Sequence, residues 1–493
     1  MTAPEVEGVT MSLSRVPLCW MLLALPALGG EASMILHNAR VWTGDPQAPW
    51  AQAVAVEGAR ILAVGSDQEA LRHRGARTEV RDLEGRFIAP GFIDSHTHFN
   101  RAGALLLGVN LLNVADAAGL RARVREAVER LPPGSWLLDG DWGAYEAWAR
   151  DSSGSAAADP SRPTFVRHRS MIDAITPEHP ALLSKWDRSA YLANRLALER
   201  AGATCDWDGV ACDQRGEMTG LLEPAAAERI RTGGLKGFVD GIMGNSSARF
   251  YEPYLHSGAR GSWRDMMQPE GNMLRLLRRA DAAGLWPQVH AIGDQAIDTL
   301  LDLFEQVFEA EPERPRRWRL IHAQVLRGPE VARRIARLGV IAEVQPYHAI
   351  DDMRWMEERI GARSHWAYAF KTLQDAGVRL CFGSDWPGTN ASWYPSNPLL
   401  GIYAAVTRQT LSGTPPGGWF PEQRLDLESA LRAYTVNSAW AAGEERLKGA
   451  VAPGLLADLV APDRDPFAID AAELKDVKVL WTMVGGRIVF GRP

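Results

Sequence analysis

Between about residues 89 and 445 the chain alternates short, β-rich apolar runs with stretches of helical periodicity, and this constrains its fold more than any other feature of the 493 residues. One helical stretch carries Ile297, Leu300, Leu301, Phe304, Val307 and Phe308 on a single face, the spacing of an amphipathic helix. Parallel strands need a crossover between them, and a helix is the usual one, so the alternation predicts an α/β fold around a parallel sheet. Eight such units would close as a (β/α)8 TIM-like barrel. Residues 110–220 are too long for one unit and predict an insertion.

The two ends read differently. MILHNARVWTGD, AVAVEGARILAVG and VRDLEGRFIAPG near the start, and LLADLVAP and VKVLWTMVGGRIVFG near the finish, are short alternating runs separated by turn residues, with Gly485-Gly486 as a hairpin turn. Neither end is long enough to close a core alone. They are therefore expected to build one accessory β-domain together, from residues 34–88 and 446–493, flanking a barrel over 89–445.

With 46% hydrophobic and 23% charged residues the chain is globular rather than disordered. A net charge of −6, no long basic run and no zinc-finger spacing argue against nucleic acid and for a small-molecule substrate. Residues 1–33 form a separate segment. After Arg15 comes VPLCWMLLALPALGG, too short and too broken by proline to span a bilayer, which reads as a secretory signal, with Met11 as an alternative start. The expectation is export to the periplasm or medium, with no stable membrane association once the signal is removed. The alternative is a cytoplasmic protein with a disordered extension. Of the four cysteines, Cys19 lies in this segment, and Cys205 and Cys212 could pair only in an oxidising compartment. A homo-oligomer is left open.

In a barrel, functional residues sit where strands end. In GFIDSHTHFNRAG, His96 and His98 are two apart, so on an extended chain both face one side and could reach one ion. GLKGFVDG places Lys236, Phe238 and Asp240 on one face. LWPQVHAIGDQAID ends at His290, RWRLIHAQVL at His322 and VRLCFGSDWPGTN at Asp385, with Trp386 and Trp393 close by. Each has a plainer reading: a solvated lysine, a hydrogen-bonded core histidine, a capping aspartate. Together, imidazoles and a carboxylate at successive strand ends form the donor set of a catalytic zinc or similar ion.

With these motifs in hand, the chain resembles the metal-dependent amidohydrolase superfamily, and within it the YtcJ-like branch, amidohydrolase family 3. The similarity is carried by GFIDSHTHF, LKGFVDGIMGNSSA, VHAIGDQAID, IHAQVL and FGSDWP, and by NPLLGIYAAVTRQT, LRAYTVNSAWAAGEE and KGAVAPGLLADLV, across about residues 35–493. The resemblance implies a (β/α)8 barrel with an accessory β-sandwich built from both termini. It also implies one or two divalent metal ions, zinc foremost. His96, His98 and Asp385 would hold the more buried ion, and His290 and His322 a second. Lys236 has only donors as an ammonium and could ligate only as a carbamate bridging two ions.

One departure concerns substrate. In SKWDRSAYLANRLAL, Arg188-Ser189 follows Asp187 where the family often has Gly-His. Asp187 and Asn194 still match and join Asp240 and Trp386 as substrate-side candidates, with capping of the following helix as the other role open to Asn194. The ligand set implies hydrolysis of a non-peptide carbon–nitrogen bond by hydroxide generated on the metal, with Asp385 as general base and then general acid. An N-acyl or N-formyl amine, a cyclic amide or an N-acyl amino acid would suit. A decarboxylase or isomerase on the same barrel, or a catalytically silent binding protein, are the alternatives; the complete ligand set argues against the last.

Overall fold

The computed structural model describes residues 30–98, 108–112, 114, 116–142, 168–185, 190–201, 210–212, 218–222, 236–387 and 396–493, with backbone alone for 210–212 and 218–222. The expected signal segment, Asp187, Trp393 and the Cys205–Cys212 pairing fall wholly or partly outside the described residues.

The chain starts with strands β1 (Met34–His37), β2 (Arg40–Trp42), β3 (Trp50–Ala51), β4 (Ala53–Glu57), β5 (Arg60–Gly65), β6 (Glu79–Asp82) and β7 (Phe87–Pro90). Four of them form a sheet in the order β5-β4-β1-β6. The region expected to be an insertion holds β8 (Leu137–Trp142), β9 (Ala181–Lys185), β10 (Tyr191–Ala193), β11 (Val210–Cys212) and β12 (Met218–Leu222), in the order β11-β12-β10-β9-β8. Here β8 and β9 are parallel and the other pairings antiparallel. This sheet has its own apolar cluster, including Leu111, Leu120, Val124, Leu137, Trp142 and Leu183.

A five-stranded parallel sheet positions the functional residues. It runs in sequence order through β13 (Lys236–Phe238), β14 (Gln288–Ala291), β15 (Arg319–His322), β16 (Ile341–Val344) and β17 (Leu380–Phe382). The helix expected from the apolar periodicity spans Asp294–Phe308 and buries Ile297, Leu300, Leu301, Phe304 and Val307. Phe304 and Phe308 meet the ring of Trp318 edge to face, at centroid distances of 4.9 and 5.0 Å. Each such buried side chain contributes about 1.5–3 kcal/mol, and truncating Leu300 to alanine would cost about 2–5 kcal/mol.

The segment 91–98 lies along the far side of β17. Ser95 N–H donates to Phe382 O at 3.1 Å, Asp385 N–H to His96 O at 2.7 Å and His98 N–H to Trp386 O at 2.8 Å. The approach is so close that a Cβ on Gly383 would sit 2.6 Å from the Cβ of His96, so only glycine fits there.

The C-terminal strands β18 (Leu459–Pro462), β19 (Val479–Val484) and β20 (Arg487–Gly491) complete a six-stranded sheet in the order β20-β19-β18-β7-β2-β3. Strands from both ends of the sequence thus share one sheet. One apolar cluster joins Leu36, Val54 and Ile88 to Leu459, Trp481 and Met483. Val484 pairs with Arg487 across Gly485 and Gly486, whose φ angles of 52° and 74° suit a two-residue hairpin turn.

Candidate metal centre

The strands of the parallel sheet and the segment beside them bring polar side chains together at one place. His96 is buried and its Nε2 lies 3.2 Å from Asp385 Oδ1, while His98 Nε2 lies 3.0 Å from the same oxygen. The two histidines thus meet one carboxylate oxygen. Ligand atoms of His96, His98 and Asp385 all lie within 4.8 Å of one another, and so do those of His322, His348 and Asp385. Lys236 Nζ is 2.9 Å from His96 Nε2. The His290 and His322 rings meet edge to face at 4.6 Å.

Three histidines are fixed by the ring nitrogen turned away from the cluster. His96 Nδ1 donates to Glu343 Oε1 at 2.6 Å, His322 Nδ1 to Gln345 Oε1 at 2.7 Å and His290 Nε2 to the carbonyl of Gly241 at 2.8 Å. Each bond fixes a tautomer and leaves the other nitrogen as a lone-pair donor, as metal-bound histidines require. Imidazoles beside a carboxylate, each held in place by an acceptor of its own, form a donor set that fits a divalent ion.

Backbone strain marks the same place. His322 has φ 74° and Asp385 φ 54°, in the left-handed region that L-residues seldom adopt. The Asp385 loop is tied to the histidine segment by Asp94, which accepts from Ser384 N–H at 2.9 Å, Ser384 Oγ–H at 2.5 Å and His96 N–H at 3.1 Å. Ion-pair electrostatics run in opposed directions. Burial opposes charge on His96, but Asp385 and Glu343 outweigh it and raise its pKa to about 9. Burial would raise Asp385, yet His96 and His98 hold it well below the usual carboxylate range. Burial depresses the pKa of Lys236 despite nearby Asp385 and Glu343. Burial and the neighbouring His290 push His322 well below the ordinary histidine value.

Two expected substrate-side residues have other duties. Asn194 is 1% exposed; its Oδ1 accepts from Ala181 N–H and Ala197 N–H at 2.9 Å each, and its Nδ2 donates to Thr176 Oγ1 at 2.7 Å and His179 O at 2.8 Å. With its amide fully used, it caps the helix Arg195–Ala201, the capping role left open to it by the sequence. Asp240 is wholly buried and accepts from the backbone N–H groups of Arg249, Ile292 and Gly293 at 2.8, 3.1 and 2.9 Å. It ties the loop after β13 to the loop after β14. Trp386 follows Asp385 directly, half-buried, its carbonyl accepting from Thr97 Oγ1 at 3.0 Å.

Three residues went unnoticed in the sequence. Glu343, fully buried on β16, accepts from both His96 and Arg319, the latter at 2.7 Å. Gln345 holds His322. His348 stacks on His322 at 6.4 Å, with Nε2 4.0 Å from Asp385 Oδ2. The available signal was an acid and an amide two apart in the otherwise apolar IAEVQP, since a buried carboxylate needs a partner.

The sequence profile described as the Amidohydrolase family matches residues 79–227 and 212–490. The putative amidohydrolase YtcJ of Bacillus subtilis (strain 168) is 27% identical, with 92% of this chain and 99% of that protein covered. The N-substituted formamide deformylase of Arthrobacter pascens is also 27% identical, with 93% and 98% covered. An uncharacterized metal-dependent hydrolase from Pyrococcus furiosus superposes with a TM-score of 0.66 at 23% identity, over 88% of this chain and 99% of that one.

Proposed function

The chain belongs to the amidohydrolase family, a hydrolase of carbon–nitrogen bonds, and from that premise we propose that it cleaves a small N-acyl or N-formyl amine, a cyclic amide or an N-acyl amino acid. The observation that carries this reading is the convergence of His96, His98 and Asp385 on one point. His96, His98 and Asp385 would hold a first divalent ion, zinc by donor type, and His290 and His322 a second. When bound, such an ion supplies a Lewis acid that acidifies water and polarises a carbonyl oxygen.

The residues of the chain do the rest. Asp385 Oδ1 faces His96 and His98, leaving Oδ2 to take the proton from the attacking water and return it to the leaving nitrogen. The low pKa of Asp385 keeps it ionised. Glu343, Gln345 and the Gly241 carbonyl hold three imidazoles in the required tautomer. Lys236 is buried and its charged form disfavoured, and a neutral amine is the form that adds CO2 to give a bridging carbamate. Trp386 borders the bound substrate.

The fold reading completes this picture. A closed (β/α)8 barrel over 89–445 would include segment 91–98 and the sheet β13–β17. The accessory sandwich draws on 34–88 and 446–493. Residues 1–33 direct export, and protein recovered from its host should begin near residues 30–34 on N-terminal sequencing.

The test of function is a screen of N-acyl and N-formyl amines, cyclic amides and N-acyl amino acids, scored for released amine, with metal analysis of the same sample. Amine release that follows metal content supports the reading. Release of CO2 in place of amine would replace it with a decarboxylase.

A further inference from the structure

Phe238 is one position from complete burial on either side. Gly237 and Val239 are buried, and the strand-end neighbours Asp240 and His290 are 0% and 3% exposed, yet Phe238 is 37% exposed. Among the described residues it joins none of the apolar clusters that hold the fold together, so their packing does not account for it. Its position does. Phe238 pairs in register with His290, the two rings lie 5.3 Å apart, and Lys236 Nζ sits 5.1 Å from the Phe238 centroid. The other exposed large apolar side chains of β19 and β20, such as Val489 and Phe490, lie on the terminal sheet, away from the metal centre.

We propose that Phe238 is the floor of an apolar subsite beside the metal centre, so that the substrate carries an aromatic or bulky apolar group on the carbon–nitrogen unit being cleaved. An aromatic face left in water beside a polar cluster gains free energy when an apolar group covers it, in proportion to the area removed from water. A planar group can stack at the ring separations aromatic pairs prefer. A small polar amide would leave the ring wet and gain nothing from it. The proposal rests on the hydrolase reading above, and it names the substrate class for that same site.

The test separates binding from turnover. Zinc-loaded full-length protein, Phe238→Ala and Phe238→Leu are compared for binding of 2-phenylethylamine and methylamine, and for hydrolysis of N-(2-phenylethyl)formamide and N-methylformamide. Melting temperature and metal content are measured on each sample. The wild type should favour the phenylethyl ligand by about 10- to 100-fold in binding. Phe238→Ala should lose that preference while binding methylamine as before, and Phe238→Leu should keep part of it. A wild type without preference, or an alanine variant that keeps it, overturns the subsite. Preference in binding with neither formamide hydrolysed would leave the subsite standing and count against the hydrolase reading. If Phe238→Ala fails to fold, the leucine variant decides: it must lose some preference for the phenylethyl group at unchanged metal content, and full retention refutes the proposal.

Discussion

The two halves of the centre use the same side chain in different surroundings. On one side His96 and His98 meet the Asp385 carboxylate, and the rear nitrogen of His96 is held by a second carboxylate, Glu343, itself paired with Arg319. On the other, His322 is held by a neutral amide and His290 by a backbone carbonyl, with His348 stacked alongside. Negative charge raises the pKa of His96 to about 9, whereas burial and a neighbouring imidazole depress that of His322. A carboxylate behind an imidazole makes it a stronger base and a stronger ligand. The first half should therefore bind its ion more tightly, and the second should be the one to empty first.

The sharpest way to break this contrast is His96→Asn. It removes the ligand shared by Asp385, Glu343 and Lys236, and metal should fall to background while the rate drops by more than about 10⁴, beyond what loss of proton transfer alone costs. Metal analysis beside turnover checks it, and a metal-replete, active variant would end the ligand assignment. Asp385→Asn comes next. It keeps the shape but not the proton acceptor, so kcat should fall by about 10²–10⁴ while substrate affinity and bound metal change far less. Near-normal turnover would refute the base role.

Glu343→Gln set against Gln345→Leu tests the contrast itself. The first exchanges a charged acceptor for a neutral one and should weaken metal binding by about 10–100-fold. The second should affect only the more weakly held ion, measured by competition with a chelator. Equal effects would erase the distinction between the halves. The smallest effect is expected at Asn194→Ala, away from the centre. Its buried partners Thr176 and His179 lose their donor and the helix its cap, a loss on the order of 1–3 kcal/mol in denaturant unfolding, with metal content unchanged.

The half that was legible in the sequence is the one carried by strand-end residues. His96, His98, His290, His322 and Asp385 stand directly after apolar runs, where a change from apolar to polar is visible, and the helix Asp294–Phe308 announced itself by its apolar spacing. The supporting shell was harder to see. Glu343 lies within a strand and Gln345 at its exit, in a run that reads as plain core unless its single acid is treated as an anomaly needing a partner. The sheet β8–β12 was visible only as excess length, because its strands are three to six residues long and separated by polar stretches. Capping was one of two roles the sequence left open for Asn194, since capping and substrate binding call on the same polar side chains.

The most direct measurement is hydrolysis by one preparation before chelation, after chelation, and after return of zinc, using an N-formyl amine or another carbon–nitrogen substrate found in the screen. Amine release should disappear with the metal and return with one to two zinc ions per chain. Undiminished hydrolysis by metal-free protein would contradict the assignment of His96, His98 and Asp385 as a catalytic metal centre.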